Sequence, residues 1–158
     1  MRPSQGPPRH QLLAIEYADT RSTDGFFRKY RVLLIGGKLY PLHLAISRTW
    51  KVHYFSADMA DSAEHRAEDA AFLADMEAVL GSPSICALER IRDTLSLDYG
   101  GIDFAVDPRG QLVIFEANAT MVAPQPPAGE HWDYRRVAVE RVSSAVQAML
   151  LERAAARG

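Results

Sequence analysis

Cysteine is nearly missing from this sequence. Cys86 is the only one, so no intrachain disulfide forms and no cysteine-based metal spacing exists. Such low usage fits a reducing cytoplasm, the compartment expected for the chain. No run of about 18 apolar residues occurs, which speaks against a transmembrane helix and a membrane partner. Charge of one sign is also scarce. With 18 Lys and Arg against 20 Asp and Glu, the net charge is −2. No global field is there to gather nucleic acid or an anionic membrane, so local clusters must carry any phosphate binding. There is no GxGxxG or Walker-type loop for a nucleotide, and no Gly-x-Ser-x-Gly elbow for a nucleophile. His43 and His53 lack the HxH or HExxH spacing of a histidine metal site.

What is present suffices for one core. The chain has 158 residues, 47% of them hydrophobic, enough for one domain and too few for two. Residues 1–10 are polar and proline-rich, without the apolar stretch of a signal peptide, and read as a disordered leader. Gln11 to Tyr17 reads as a strand. Phe26 to Ile35 and Lys38 to Ser47 flank Gly36-Gly37, a hairpin signal, because both central residues of a type I′ turn need positive φ.

Two helices follow. Asp61 or Ser62 caps the first, with Glu64 placed for a capping box behind Asp61. Phe72, Met76, Val79 and Leu80 recur along it at helical spacing. Gly81-Ser82-Pro83 ends it and starts the second, whose inner face is Ile85, Leu88, Ile91 and Leu95. A second hairpin runs from Gly101 to Asn118 through Asp107-Pro108-Arg109-Gly110. Residues 123–129 form a proline-rich loop. From about His131 to Arg153, Val137, Val142, Val146, Met149 and Leu150 mark a last helix. In 123–158 this loop and helix complete the same domain. Strands in antiparallel pairs with grouped helices predict an α+β fold, a sheet of two hairpins packed against helices.

The second hairpin carries the chemistry. With a two-residue loop, Pro108-Arg109, Asp103 faces Ile114. Alternation then puts Ile102, Phe104, Val106, Val113 and Phe115 on an apolar face, and Asp103, Asp107, Glu116 and Asn118 on the other. Asp103 and Glu116 lie diagonally, roughly 7–8 Å apart. Two carboxylates and an amide oxygen suit Mg²⁺ or Mn²⁺, which take oxygen donors and keep water or phosphate in their remaining positions. Zinc calls for imidazole or thiolate in addition. The alternative is a hairpin whose wet face is simply polar.

The run from Gly101 to Met121, GIDFAVDPRGQLVIFEANATM, resembles the end of ATP-grasp domains, where an Asp on one strand and Glu-x-Asn on the next hold the magnesium of MgATP. The resemblance spans residues 11–122 and implies an ATP-grasp C-terminal lobe. It implies Asp103 and Glu116 as principal metal ligands, Glu116 bridging two ions, and Asn118 as a third. Ile15-Glu16-Tyr17 resembles the strand that links the two lobes, so the adenine contact maps onto Glu16, Tyr17 and Ala18. The segment from Asp24 to Gly37, DGFFRKYRVLLIGG, resembles the family's acidic-then-basic strand, with Arg31 as the phosphate-facing arginine. By alternation Arg28 points to the opposite face. Arg48 to His53, RTWKVH, looks like a second basic patch, with His53 where many relatives have asparagine.

The likeness is nearest to ATP-grasp domains of bacterial tetratricopeptide-repeat proteins. It implies part of a ligase that uses ATP and Mg²⁺ (or Mn²⁺). Such enzymes phosphorylate a carboxylate to an acylphosphate, which an amine or thiol then attacks. Arg31 and Arg48 are the expected catalytic clamps on phosphate or the acyl intermediate. The family's N-terminal lobe is expected to be absent from the chain, to be met by a separate lobe or by self-association. The alternative expectation is a non-catalytic nucleotide- or metal-binding remnant, or a partner subunit.

Overall fold

The computed structural model describes residues 16–52, 59–126 and 128–156. Strand β1 (Phe27–Ile35) and strand β2 (Lys38–Ser47) form the first hairpin. Gly36 and Gly37 have φ of 55° and 76°, the left-handed pair that lets a two-residue turn follow the strands' twist. Three helices come next: α1 (Ala63–Ala74), α2 (Met76–Leu80) and α3 (Ser82–Leu95). Strands β3 (Tyr99–Val106) and β4 (Leu112–Asn118) then lead through a 3₁₀ turn at Glu130–Trp132 to helix α4 (Asp133–Ala155). The sheet is antiparallel throughout, in the order β2-β1-β3-β4. The fold is therefore α+β. No helix among the described residues is long and apolar enough to cross a membrane.

The sheet buries both faces over much of its area. On one face Tyr30, Val32, Leu44, Ile46, Ile102 and Phe104 pack under Phe72 and Leu73 of α1 and Leu88 of α3. Tyr30 stacks on Phe104, with ring centroids 5.4 Å apart, and meets Phe72 edge-on at 5.1 Å. On the other face Leu33, Ile35 and Leu42 meet Met121 and Val139, Val142 and Met149 of α4. A buried ion pair ties these layers at β2. The Asp69 carboxylate of α1 accepts from the backbone N–H of Leu44 at 2.7 Å, from Tyr134 at 2.6 Å and from Arg135 of α4 at 2.6 Å.

Several elements differ from the sequence reading. Of the two expected caps, Ser62 is the one that serves α1, accepting from the His65 N–H at 3.1 Å, but Glu64 accepts from the Ser62 hydroxyl instead of closing a capping box. The expected first helix is two. Asp75 leaves helical geometry at φ −147°, and its carboxylate caps α2 through the Ala78 N–H. An aspartate that bonds the backbone ahead of it competes with the helix behind it. In α4, Val137 and Leu150 are exposed, whereas Arg135, Ala138 and Val139 are buried. The buried arginine hides the stripe from an apolar count. Glu16 and Tyr17 lie in a loop, not a strand. Residues 11–15 of that expected strand and the 1–10 leader lie outside the described residues.

The β3–β4 turn is also not the two-residue loop. Asp107 N–H bonds Gln111 C=O and Gly110 N–H bonds Asp107 C=O, both at 2.9 Å. This is a three-residue turn closed by Gly110 at φ 78°, the usual form with a glycine bulge. The Asp107 carboxylate accepts from Arg109 and Gln111 N–H groups, so it serves the turn and not the polar face. A second irregularity, between Asp103 and Phe104, leaves Phe115 without a cross-strand partner. Asp103 consequently faces Glu116 directly rather than Ile114.

Candidate functional site

A polar row crosses all four strands. His43 on β2 pairs with Arg31 on β1, Arg31 with Asp103 on β3, and Asp103 with Glu116 on β4. Paired residues share a face, so the four side chains lie side by side. Lys29, two residues before Arg31, joins them by alternation. Two register shifts flank the row, at Arg31/Val32 and at Asp103/Phe104. Such bulges re-aim side chains. Here the second one offsets the slip set by the three-residue turn and keeps Asp103, Glu116 and Asn118 on one face.

Asp103 is the centre of the row and is 2% exposed. Arg31 grips it with both ends of its fork, Nε–Oδ1 at 2.6 Å and Nη2–Oδ2 at 2.7 Å. The Lys29 ammonium adds a bond to Oδ2 at 3.0 Å. Burial pushes the Asp103 carboxyl up, but Arg31 and Lys29 outweigh it and hold the group below its ordinary value. Asp103 in turn raises the Arg31 guanidinium, with a smaller push from Glu116. His43 is pushed well below its usual value, first by burial and then by the Arg31 and Arg135 charges. It is a neutral imidazole beside a cation.

Toward β4 the row opens to solvent. Glu116 is exposed, and its Oε1 accepts from the Asn118 amide at 2.5 Å. The Asn118 oxygen accepts from Thr120 N–H at 2.9 Å, which fixes the amide's orientation. Among the described residues no three His, Cys, Asp or Glu side chains converge as a metal site. The face offers instead two carboxylates and an amide oxygen. A carboxylate has about four lone-pair positions, and the bonds from Arg31 and Lys29 take three of those on Asp103. Glu116, Asn118 and the remaining Asp103 position fit a hard divalent cation that keeps several waters, Mg²⁺ or Mn²⁺.

Beside the row lies a cavity of about 500 Å³, lined by Glu16, Tyr17, Ala18, Phe27, Trp50, Ile114 and Phe115 among others. Phe115 adjoins Glu116 on β4, and Phe27 precedes Lys29 by two residues on β1, so cavity and row share two strands. Tyr17 meets Trp50 edge-on, with centroids 6.3 Å apart. Both residues remain more than half exposed, at 55% and 66%, and Phe115 is 50% exposed. A concave, mainly apolar wall with open aromatic faces beside a charged row is the usual form of a small-molecule site.

The structure brings Glu16, Tyr17 and Ala18 to this cavity, and Arg31, Asp103, Glu116 and Asn118 to the adjoining row. It does not bring Arg48 there. The Arg48 guanidinium lies 4.6 Å over the Phe26 ring. It lines a different cleft, with Arg28, Glu68 and His65. Arg28 bonds Asp24 and Glu68, on the face opposite Arg31, as alternation predicts. His53 lies outside the described residues. Sequence reasoning passed over Lys29 as a partner of Asp103, although its spacing of two from Arg31 was signal enough. The placement of His43, Trp50 and Phe115 depends on bulges and loop paths that spacing in the sequence does not give.

No protein-family model, no curated protein and no solved structure matches this chain.

Proposed function

We propose that the polar row and its cavity bind MgATP (or MnATP) as one wall of an ATP-grasp-type site, serving carboxylate activation. The observation that carries this reading is the adjacency of an aromatic-lined cavity to a row holding two cations, two carboxylates and an amide oxygen. The base enters the cavity, against Tyr17, Trp50 and Phe115 and the backbone of Glu16 to Ala18. Arg31 receives phosphate oxygens by paired hydrogen bonds, the geometry for which a guanidinium is suited. Glu116, Asn118 and Asp103 hold the metal, which when bound neutralises charge on the transferring phosphoryl group.

The reaction class follows from the resemblance. A carboxylate oxygen takes the γ-phosphoryl group, ADP leaves, and an amine or thiol then displaces phosphate from the acyl carbon. The opposite wall comes from another lobe, a partner subunit or a second copy. A second reading, a nucleotide- or metal-binding module without turnover, is favoured by one observation. Arg48, the second expected clamp, stacks on Phe26 away from the row.

Titration calorimetry with MgATP tests binding, and ATP-dependent phosphate release tests turnover. Saturable binding at or below millimolar nucleotide is expected, weakened in Glu116→Gln. An absence of heat at millimolar MgATP refutes the reading for this chain alone. Binding without phosphate release, in the presence of candidate carboxylates and amines, favours the second reading.

A further inference from the structure

The ion cluster at Asp103 says more than that a nucleotide fits there. Lys29, Arg31, Asp103 and Glu116 carry two positive and two negative charges, so the row is self-compensated. A free divalent cation meets a carboxylate already held by two cations. A free polyphosphate meets two cations already held by a carboxylate. Each ligand alone is disfavoured at an almost fully buried group: the metal finds one open Asp103 position beside two cations, and the phosphate must break bonds that Lys29 and Arg31 already make. The two together exchange partners: phosphate oxygens take over the Lys29 and Arg31 donors, and the metal takes over the Asp103 oxygens. Both basic side chains keep some exposure, 15% for Lys29 and 18% for Arg31, so neither is sealed from solvent. A lysine ammonium on a flexible stem swings between two acceptors at little geometric cost.

We infer, resting on the nucleotide-binding reading above, that Lys29 is a second phosphate-binding cation and that the Lys29–Asp103–Arg31 cluster makes metal and phosphate binding mutually dependent. Lys29 is a ligand residue in the loaded site and a lock on Asp103 in the empty one.

This has a signature that a purely structural salt bridge lacks: removing one side of the cluster improves binding of the other kind of ligand. In Lys29→Met, Asp103 loses one cation, and Mn²⁺ alone, followed by the loss of its free-ion electron paramagnetic resonance signal, binds about tenfold more tightly than to wild type. In Asp103→Asn, Lys29 and Arg31 are released, and ATP in excess chelator binds more tightly than to wild type by a similar factor. Circular dichroism checks that each variant is folded. If Asp103→Asn does not fold, Lys29→Met decides, because Arg31 still covers Asp103 there. Unchanged or weaker Mn²⁺ binding by folded Lys29→Met overturns the inference, even where wild type binds MgATP. Tighter Mn²⁺ binding by Lys29→Met, with no ATP or MgATP binding by wild type or Asp103→Asn, upholds the lock on Asp103 and refutes the nucleotide assignment instead.

Discussion

Asp103 and Arg31 stand directly opposite each other on β3 and β1, and the guanidinium takes both carboxylate oxygens, at 2.6 and 2.7 Å. With Asp103 at 2% exposure, the pair is worth more as a pair than either member alone. Removing one partner of a buried pair typically costs about 3–5 kcal/mol, whereas replacing both by apolar groups is often neutral. Lys29 still touches Asp103 when Arg31 is gone, so the low end applies. Arg31→Met is expected to cost about 3 kcal/mol in urea denaturation, and Arg31→Met/Asp103→Leu less than the sum of the single changes. Additive losses in this double-mutant cycle contradict the coupling.

His43 sets a pH dependence near neutrality. Its folded-state value is depressed by burial and by Arg31 and Arg135, so the unfolded chain binds the proton more readily. The stability is therefore fully present above the unfolded histidine value, about 6.5, and is lost progressively as pH falls below it. The slope approaches about 1.4 kcal/mol per pH unit. Asp103, also depressed, has the same sign, but its contribution is lost only when pH falls below the ordinary carboxylate value of about 4. Denaturant midpoints at pH 7.5, 6.5 and 5.5 should fall, and in His43→Gln that fall should flatten. An unchanged slope in the variant assigns it to other groups.

Gly101 is a packing constraint. A Cβ there meets Met121 Sδ at 2.5 Å and Leu33 Cδ2 at 2.9 Å, and Leu33 is fully buried. Gly101→Ala is expected to cost about 1–3 kcal/mol through overpacking. Met121→Ala in the same chain should recover part of it, because it removes the nearest atom, Sδ. No recovery in thermal melts places the strain in the backbone or at Leu33.

Sequence periodicity read some parts of this molecule well and others poorly, for reasons that lie in particular residues. Gly36-Gly37 dictates its turn locally, so the first hairpin was legible with its bounds. The second was legible in existence but not in register, since Gly110 adds one residue to the turn and Phe115 another to the strand. The two shifts together return Asp103 and Glu116 to one face, so the polar set follows from alternation although its detailed pairing does not. The break at Asp75 and the buried Arg135 were hidden because a polar residue at a helical spacing looks solvated. Each has a partner distant in sequence or specific in geometry: the Ala78 N–H for one, Asp69 for the other. Arg48 lies one residue beyond β2, where the chain leaves the sheet, so motif spacing did not fix its side.

Arg48 and the cavity aromatics therefore give a test that separates motif from geometry. Trp50 and Phe115 are 66% and 50% exposed, so trimming them costs little stability, within about 0.5 kcal/mol for surface positions. If a nucleobase stacks there, each removal forfeits about 1–3 kcal/mol of stacking. Trp50→Ala and Phe115→Ala should then weaken MgATP binding by roughly tenfold or more, with unfolding midpoints unchanged. Arg48→Ala should leave binding as it is, since Arg48 lies over Phe26 and lines the other cleft. Calorimetry on the three variants decides. A loss in Arg48→Ala with none in the aromatic variants moves the nucleotide to the cleft beside Arg28 and Glu68, and removes the cavity from the site.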